Sequence, residues 1–165
     1  MERAILLAAF GPLRRGEICA LENTDIRANT IMVNKSMVKD QKNNWIVKAP
    51  KTYSSYRTIE FPESVVQKFH GVTGRLVDLN PDQVTNRFVR ILKKAGTPHF
   101  RFHDLRHYAA SILHAIGVPD QYIMSRGGWS SDKTLKQVYR GEISEEAAKF
   151  NQQINKHFDR VLTTR

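Results

Sequence analysis

The chain has 165 residues, with hydrophobic and charged fractions of 41% and 25%, which excludes a disordered or fibrous protein and predicts one globular domain. Lysine and arginine outnumber acidic residues 26 to 16, and the net charge of +10 favours a polyanionic partner: nucleic acid first, an anionic membrane second. A single cysteine, Cys19, excludes an intrachain disulfide and lies in an apolar stretch, so we expect a small buried side chain and a cytoplasmic protein.

The first predicted element is a helix over the apolar run at residues 4–10, which is too short for a membrane span and lacks a signal-peptide cleavage site. No long basic amphipathic helix supports a membrane partner either. Gly11 and Pro12 end this helix, and a second helix is predicted from about residue 13 or 14 to residue 21. The abrupt helical start suggests a piece of a longer protein.

Short β-prone runs follow between residues 30 and 61, and polar turn residues separate them. Residues 40–44 form one predicted turn, and residues 49–56 are interpreted as a second hairpin loop. The pattern predicts one small antiparallel sheet inserted between helices. Its candidate strands are Thr30–Val33, Ser36–Lys39, Trp45–Lys48 and residues 57–61.

The remainder of the chain is predicted to be helical, because apolar residues recur at helical spacing between proline and glycine boundaries. A last amphipathic helix is predicted over residues 144–158, with Phe150, Ile154 and Phe158 as its apolar stripe. The predicted fold class is mostly α with a small antiparallel β-sheet (α+β). The earlier helices begin at Pro62, at Asn80-Pro81, near His103 and at Pro119, and the last three of these end at Gly96, Gly117 and Gly127-Gly128.

The strongest local motif is His103-Asp-Leu-Arg106-His107 at the start of a predicted helix. His103 and Arg106 are three residues apart and therefore share a face or the first turn, where a cation beside an imidazole can hold a phosphate. A solvated polar helix start remains an alternative, with Asp104 merely favouring the helix dipole. Zinc binding by His103 and His107 is disfavoured, because no adjacent glutamate and no cysteine cluster would complete the ligand set.

Three longer segments resemble motifs of one family. HDLRHYAASILHAIGVPDQYIMSRGGWSSDKTLKQVYRG is similar to the C-terminal signature of the tyrosine recombinases, or phage integrases: a His-x-x-Arg pair, a Gly-His or Gly-Trp step, and a tyrosine about ten residues later. Upstream, GPLRRGEICALENTDI resembles the family's first arginine motif, and KAPKTYSSYRTIEFP its lysine-bearing hairpin. The resemblance extends from about residue 4 to Tyr139 with the motifs in order. The implied site residues are Arg14, Lys51, His103, Arg106, Trp129 and Tyr139.

The resemblance implies DNA strand exchange without metal, ATP or another cofactor. Tyr139 would attack the scissile phosphate and form a 3′-phosphotyrosyl link, with His103 helping to take its proton and Lys51 protonating the 5′-oxygen that leaves. Arg14 and Arg106 would hold the non-bridging oxygens. In addition, the indole N–H of Trp129 would donate to a phosphate oxygen while its ring packs.

Several alternatives stay open on the residues alone. Arg15 adjoins Arg14, and Lys48 lies three residues before Lys51 on the same predicted hairpin. Taken singly, Tyr139 and Trp129 are ordinary packed aromatics. Glu17 either orients the Arg14 region through a helix-spaced pair or is solvated. Pro12 departs from the family's Gly-Leu-Arg step and can shift the loop that contains Arg14.

The implied function is that of a site-specific DNA recombinase or integrase of a phage or mobile element. Residues 1–165 are expected to form a single catalytic domain without the N-terminal core-binding domain of the parent protein. The implied partners are double-stranded DNA and further protomers, in a tetramer joined through the C-terminal helix. Two alternatives are a type IB topoisomerase, which has a similar residue set, and a non-catalytic basic module that coats phosphates.

Overall fold

The computed structural model describes residues 1–50, 55–131, 133, 135 and 136. Helices and two small antiparallel sheets alternate along this part of the chain, as the predicted α+β class requires. The helices are α1 (Glu2–Phe10), α2 (Arg15–Ala20), α3 (Glu63–Val66), α4 (Pro81–Lys94), α5 (Asp104–Ala115) and α6 (Asp120–Gly127), and the strands are β1 (Ile26–Arg27), β2 (Thr30–Val33), β3 (Ser36–Lys39), β4 (Trp45–Lys48) and β5 (Arg57–Glu60).

The predicted single sheet is wrong, because the strands pair in two separate groups. β2 is the centre of a three-stranded sheet between β1 and β5, with Ile31 opposite Ile59, whereas β3 and β4 form a separate two-stranded ribbon with Met37 opposite Val47. β4 and β5 therefore belong to different sheets, and the second hairpin predicted between them is wrong. Hydrophobic alternation marks which residues form a strand but carries no information on the partner strand.

Helix α4 illustrates how local sequence sets an element boundary. The Asn80 side chain accepts a hydrogen bond from the Gln83 backbone N–H at 2.9 Å, and the Gln83 side chain accepts from the Asn80 backbone N–H at 2.9 Å. This reciprocal capping box fixes the predicted helix start. Side chains at i, i+4 and i+8 then face the core: Val84, Phe88 and Leu92.

Two hydrophobic clusters underlie the fold. The larger cluster joins α1 and α2 to the three-stranded sheet, α3 and α4. It contains Cys19, which is buried as predicted. Burial raises the pKa of the Cys19 thiol to about 12, so the thiol is unreactive at neutral pH. The smaller consists of Ala110, Ile123, Trp129 and Leu135 and packs α5 against α6. Among the described residues, no helix is both long and apolar enough to cross a bilayer.

The apolar residues that recur at helical spacing along α5 do not all face the core, although that spacing predicts that they would. Tyr108, Ile112 and Ile116 are exposed, and the buried face consists of Arg106 and the small residues Ala109, Ala110 and Ser111. Small side chains let α5 lie close to α1 and α6, while Leu105 and Leu113 are partly buried against the two clusters. The predicted helix over residues 144–158 lies outside the described residues.

Candidate active site

The site is organised around the end of α6, where the chain turns at Gly127-Gly128. Gly128 takes a left-handed conformation with φ 68°, which glycine adopts without steric cost. The Trp129 backbone N–H then donates to the Met124 carbonyl at 3.0 Å and the Gly128 N–H to the Ser125 carbonyl at 3.2 Å. This termination resembles a Schellman motif, and it leaves the last three carbonyls of the turn without partners in the helix.

Three arginines from distant parts of the chain donate to these three consecutive carbonyls. Arg57 Nε donates to the Arg126 carbonyl at 2.8 Å, Arg106 Nη1 to the Gly127 carbonyl at 2.7 Å, and Arg14 Nη2 to the Gly128 carbonyl at 2.6 Å. The C-terminal end of a helix carries partial negative charge, which favours cations there. Arg14 and Arg106, the two arginines that the resemblance selects, therefore both bind at the end of α6.

Arg106 occupies the floor of the site and is 2% exposed. Its Nη1 also donates to the Pro12 carbonyl, and its guanidinium carbon lies 3.9 Å from the centre of the Trp129 ring. Burial, with a smaller contribution from Arg14, lowers the pKa of Arg106 to about 9, which still leaves the group charged at neutral pH. Within the described part of the chain, its hydrogen bonds use Nη1, so Nε and Nη2 keep donors for an anion.

Glu17 holds Arg14 in place, as the predicted helix-spaced pair requires. Its carboxylate accepts from the Arg14 backbone N–H at 2.7 Å and from Arg14 Nη1 at 2.9 Å. It also accepts two hydrogen bonds from Arg57, a residue that the sequence analysis did not select. Burial alone would raise the pKa of the Glu17 carboxyl, but Arg57 and Arg14 outweigh it and hold that pKa below its usual value.

Arg14 and Arg15 point to different places, which bears on the choice between them. Arg14 lines a cavity of about 230 Å³ together with Glu17 and Lys48, whereas Arg15 donates to the Thr85 hydroxyl and lines another cavity, of about 330 Å³. Of the two, only Arg14 contacts the turn at the end of α6. This geometry favours Arg14 as the residue that shares a site with Arg106.

His103 immediately precedes α5, and its carbonyl accepts from the Arg106 backbone N–H at 3.1 Å, so the two residues share the first turn as predicted. Its ring meets the His107 ring edge to face at 4.7 Å. His103 is exposed at the surface, but desolvation of the ring where it packs on His107, then the charges of His107 and Arg106, lower the pKa of His103 to about 4, so the imidazole is neutral at pH 7. His103 lines the same cavity as Arg15, next to the cavity-lining Arg101.

Asp104 is a first-turn residue of α5, as expected, and it binds Arg101 rather than a site residue. Its carboxylate accepts from the Arg101 backbone N–H at 2.8 Å and from the Arg101 guanidinium at 2.9 Å. Among the described residues, no group of three histidine, cysteine or acidic side chains is assembled for a metal. The predicted nucleophile Tyr139 and the predicted acid Lys51 lie outside the described residues.

Comparisons with known proteins agree with the resemblance seen in the sequence. The chain belongs to the phage integrase family, whose model matches residues 2–146. An integrase of Saccharopolyspora erythraea is 38% identical over 80 residues, covering 48% of this chain and 18% of that protein. A XerC-like tyrosine recombinase of Caldanaerobacter subterraneus is 26% identical and covers 94% of this chain and 49% of that protein. The chain thus spans half or less of the length of these two relatives.

Solved structures confirm the predicted fold, that of the tyrosine recombinase catalytic domain. The Tn1549 transposon integrase in complex with transposon right end DNA superposes with a TM-score of 0.72 at 21% identity, covering 88% of this chain and 58% of that one. A lambda integrase dimer bound to a COC′ core site superposes with a TM-score of 0.57 at 18% identity, covering 82% of this chain and 41% of that one.

Proposed function

We propose that this chain is the catalytic domain of a site-specific DNA recombinase that cuts and rejoins DNA strands through a 3′-phosphotyrosyl intermediate. The observation that carries the proposal is the meeting of Arg14 and Arg106 at one helix end, each with guanidinium donors that no hydrogen bond to a described residue uses. Two guanidinium groups match the two non-bridging oxygens of a phosphodiester in charge and in fork geometry. DNA as the partner is supported by the DNA-bound integrases with the same fold.

The proposed reaction is an in-line displacement at phosphorus. The Tyr139 oxygen bonds to phosphorus while the bond to the 5′-oxygen breaks; His103 helps to take the tyrosine proton, and Lys51 gives a proton to the leaving 5′-oxygen. Arg14 and Arg106 stabilise the charge that grows on the non-bridging oxygens, and the Trp129 indole N–H donates to one of them. The phosphotyrosine keeps the energy of the broken bond, so religation needs no ATP.

The assembly and the setting are part of the same proposal. Residues 1–165 form one catalytic domain, and a separate core-binding domain of the parent protein supplies much of the affinity for duplex DNA. Four protomers act on two duplexes, joined through the C-terminal helix at residues 144–158. The proposed cytoplasmic setting rests on the single buried cysteine and on DNA as the substrate.

Covalent trapping on nicked half-site DNA, cut from the ends of the parent element, tests the proposed reaction. We expect a denaturant-stable protein–DNA adduct without added metal, and its loss in Tyr139→Phe. Tyr122→Phe removes a tyrosine hydroxyl from an exposed position of α6 and is the matched control, which should retain the adduct. DNA binding without any adduct would instead favour a non-catalytic binding module, and an adduct that survives Tyr139→Phe would assign the nucleophile elsewhere.

A further inference from the structure

Arg57 is a buried arginine on β5 whose guanidinium is almost fully engaged. Its side chain is 5% exposed. Nη2 donates to Glu17 Oε2 at 2.8 Å, Nη1 to Glu17 Oε1 at 3.1 Å and to the Ser55 carbonyl at 3.2 Å, and Nε to the Arg126 carbonyl at 2.8 Å. Four hydrogen bonds to three partners need the planar fork of arginine, which the single ammonium of lysine cannot reproduce.

The carboxylate that Arg57 contacts is the same one that holds Arg14. Each Glu17 oxygen accepts one hydrogen bond from Arg14 and one from Arg57, so all four of its acceptor positions are filled. Because Arg57 binds both oxygens of the Glu17 carboxylate from one side, the carboxylate can face Arg14 in one orientation only. Arg57 therefore defines where the Arg14 guanidinium lies, although it is not seen to contact Arg14 itself.

Arg57 also ties this carboxylate to the end of α6. Its bond to the Arg126 carbonyl lies one residue before the carbonyl that Arg106 binds and two before the carbonyl that Arg14 binds. Arg126 fastens the same helix end to the rest of the fold, because its Nη2 donates to the Phe10 and Glu60 carbonyls at 2.9 and 2.8 Å. Strand β5, the Arg14 segment and the turn at Gly128 thus form one hydrogen-bonded unit.

Charge gives the unit a further property. Two guanidinium groups, of Arg14 and Arg57, bind the Glu17 carboxylate, and a third, of Arg106, interacts with it electrostatically; Arg57 is also one of the charges that lower the pKa of Arg106. Glu17 alone cannot neutralise the three, so the unit carries excess positive charge where Arg14 remains 40% exposed.

We infer that Arg57 is a positioning residue: it orients Glu17 and the end of α6 so that the Arg14 guanidinium meets the scissile phosphate. This inference rests on the proposed function. We do not expect Arg57 to touch the phosphate, because its side chain is 5% exposed and four of its five N–H donors are already used within the fold. Its loss should therefore slow the chemical step and leave the binding of duplex DNA unchanged.

Single-turnover cleavage of half-site DNA tests the inference in a double-mutant cycle with Arg14. Arg57→Lys should slow cleavage about ten- to a hundredfold, the cost of a misplaced catalytic group. The Kd for DNA should stay within about threefold, since Arg57 neutralises no phosphate. In an Arg14→Lys background, Arg57→Lys should slow cleavage by no more than about twofold, because both changes remove one effect. Multiplying effects, or wild-type cleavage by Arg57→Lys, would overturn the inference.

Two further arms keep the outcome decisive. Arg75→Lys changes another arginine that pairs with a carboxylate, Asp78, and should leave cleavage at the wild-type rate. Should Arg57→Lys not fold, Arg57→Gln removes the buried charge while Glu17 stays paired with Arg14, and it enters the same cycle.

Inorganic phosphate serves as a probe that needs no DNA cleavage. Titrated against the arginine Nε–H NMR signals, it should shift the Arg14 signal in the wild-type chain and bind about tenfold more weakly to Arg57→Lys. Equal affinities, or no response of Arg14 in the wild-type chain, would overturn the inference. A wild-type chain that gives no covalent adduct but shows this difference in phosphate binding would refute the proposed function alone.

Discussion

The guanidinium of Arg106 lies 3.9 Å from the centre of the Trp129 ring, so the indole covers one face of a buried cation. Trp129 is itself 8% exposed and belongs to the small cluster that packs α5 against α6. A desolvated cation over an indole face is stabilised by roughly 2 kcal/mol. One side chain thus packs the core and positions a charged group, which is why tryptophan suits this step of the chain.

Replacing this ring tests its packing role. Trp129→Ala should lower the free energy of unfolding by about 3–5 kcal/mol, as expected for a large aromatic removed from a core. Urea unfolding measures the change. Trp45→Ala is the control: Trp45 is only partly buried on β4, over Lys39, and should cost clearly less. Equal losses for the two variants would mean that Trp129 contributes no more than a surface aromatic.

Gly127 is predicted to be intolerant of any side chain, because Trp129 occupies the space. A Cβ built at Gly127 would lie 1.9 Å from the Trp129 ring, so Gly127→Ala must displace the indole from Arg106. In a Trp45→Phe background, we expect a changed Trp129 emission spectrum and slower cleavage.

Gly96→Ala provides the matched control for Gly127→Ala. Gly96 has φ 65° and open space around its Cα, so alanine there costs about 1 kcal/mol of backbone strain without moving a site residue. An unchanged Trp129 spectrum in Gly127→Ala would contradict the predicted clash.

Much of the fold could be predicted because local residues mark where the helices and strands begin and end. The strands Thr30–Val33, Ser36–Lys39 and Trp45–Lys48 were predicted with the bounds observed, and Asn80 begins α4 as expected. Strand partners could not be predicted, since β5 pairs with β2 and not with β4, the strand that precedes it in the chain. Pairing depends on long-range packing, which local alternation does not encode.

Residues of the candidate site could be predicted where a sequence motif includes them. They could not be predicted where only tertiary contacts bring them to the site. The order of motifs pointed to Arg14 and Arg106, which meet at the end of α6. Arg57 was missed, because an arginine at the start of a strand resembles any solvated charge until its carboxylate partner, 40 residues away, is known. The one local signal was that Arg57 alternates with the apolar Ile59 and Phe61 along the strand, in the segment that also suggested Lys51.

His103 should make stability depend on pH in a defined direction. Its pKa is lowered to about 4 by desolvation of the ring, then by His107 and Arg106, while Asp104 opposes the shift. Between pH 6.5 and 4 the unfolded chain therefore binds more protons than the folded one. This contribution to stability is complete above pH 6.5 and is lost as the pH falls toward 4.

The comparison of wild type with His103→Asn isolates this effect from other titrating groups. Urea unfolding at pH 7 and pH 4.5 should show a smaller loss of stability on acidification in His103→Asn than in the wild type. The exposed His70 provides a control, since His70→Asn should keep the wild-type difference between the two pH values. An identical loss in all three chains would contradict a depressed His103 pKa.

The choice between Lys51 and Lys48 can be decided by the leaving group. A 5′-bridging phosphorothiolate replaces the leaving oxygen by sulfur, which departs without a proton and so makes a general acid unnecessary. Lys51→Ala should cleave ordinary DNA at least about a hundredfold slower than wild type and recover on the sulfur substrate. Arg14→Ala should not recover, because the charge on the non-bridging oxygens remains.

Lys48→Ala is the matched variant, since Lys48 is the last residue of β4 and lines the same cavity as Arg14. It should weaken cleavage only modestly and equally on both substrates. Recovery of Lys48→Ala and not of Lys51→Ala on the sulfur substrate would transfer the role of the acid to Lys48.

Glu17 is predicted to be the acidic side chain whose loss costs the fold most among those that the structure describes. Glu17→Ala leaves the buried Arg57 guanidinium without its carboxylate and frees Arg14, and breaking a buried ion pair from one side costs about 3–5 kcal/mol. Urea unfolding should record that loss, whereas Glu63→Ala, at an exposed position whose carboxylate accepts a hydrogen bond from the Gln67 side chain, should change stability by no more than about 0.5 kcal/mol. Glu17→Gln keeps the shape of the group but not its charge, so it should lie between the two. A Glu17→Ala chain as stable as Glu63→Ala would mean that the helix-end carbonyls alone hold the arginines.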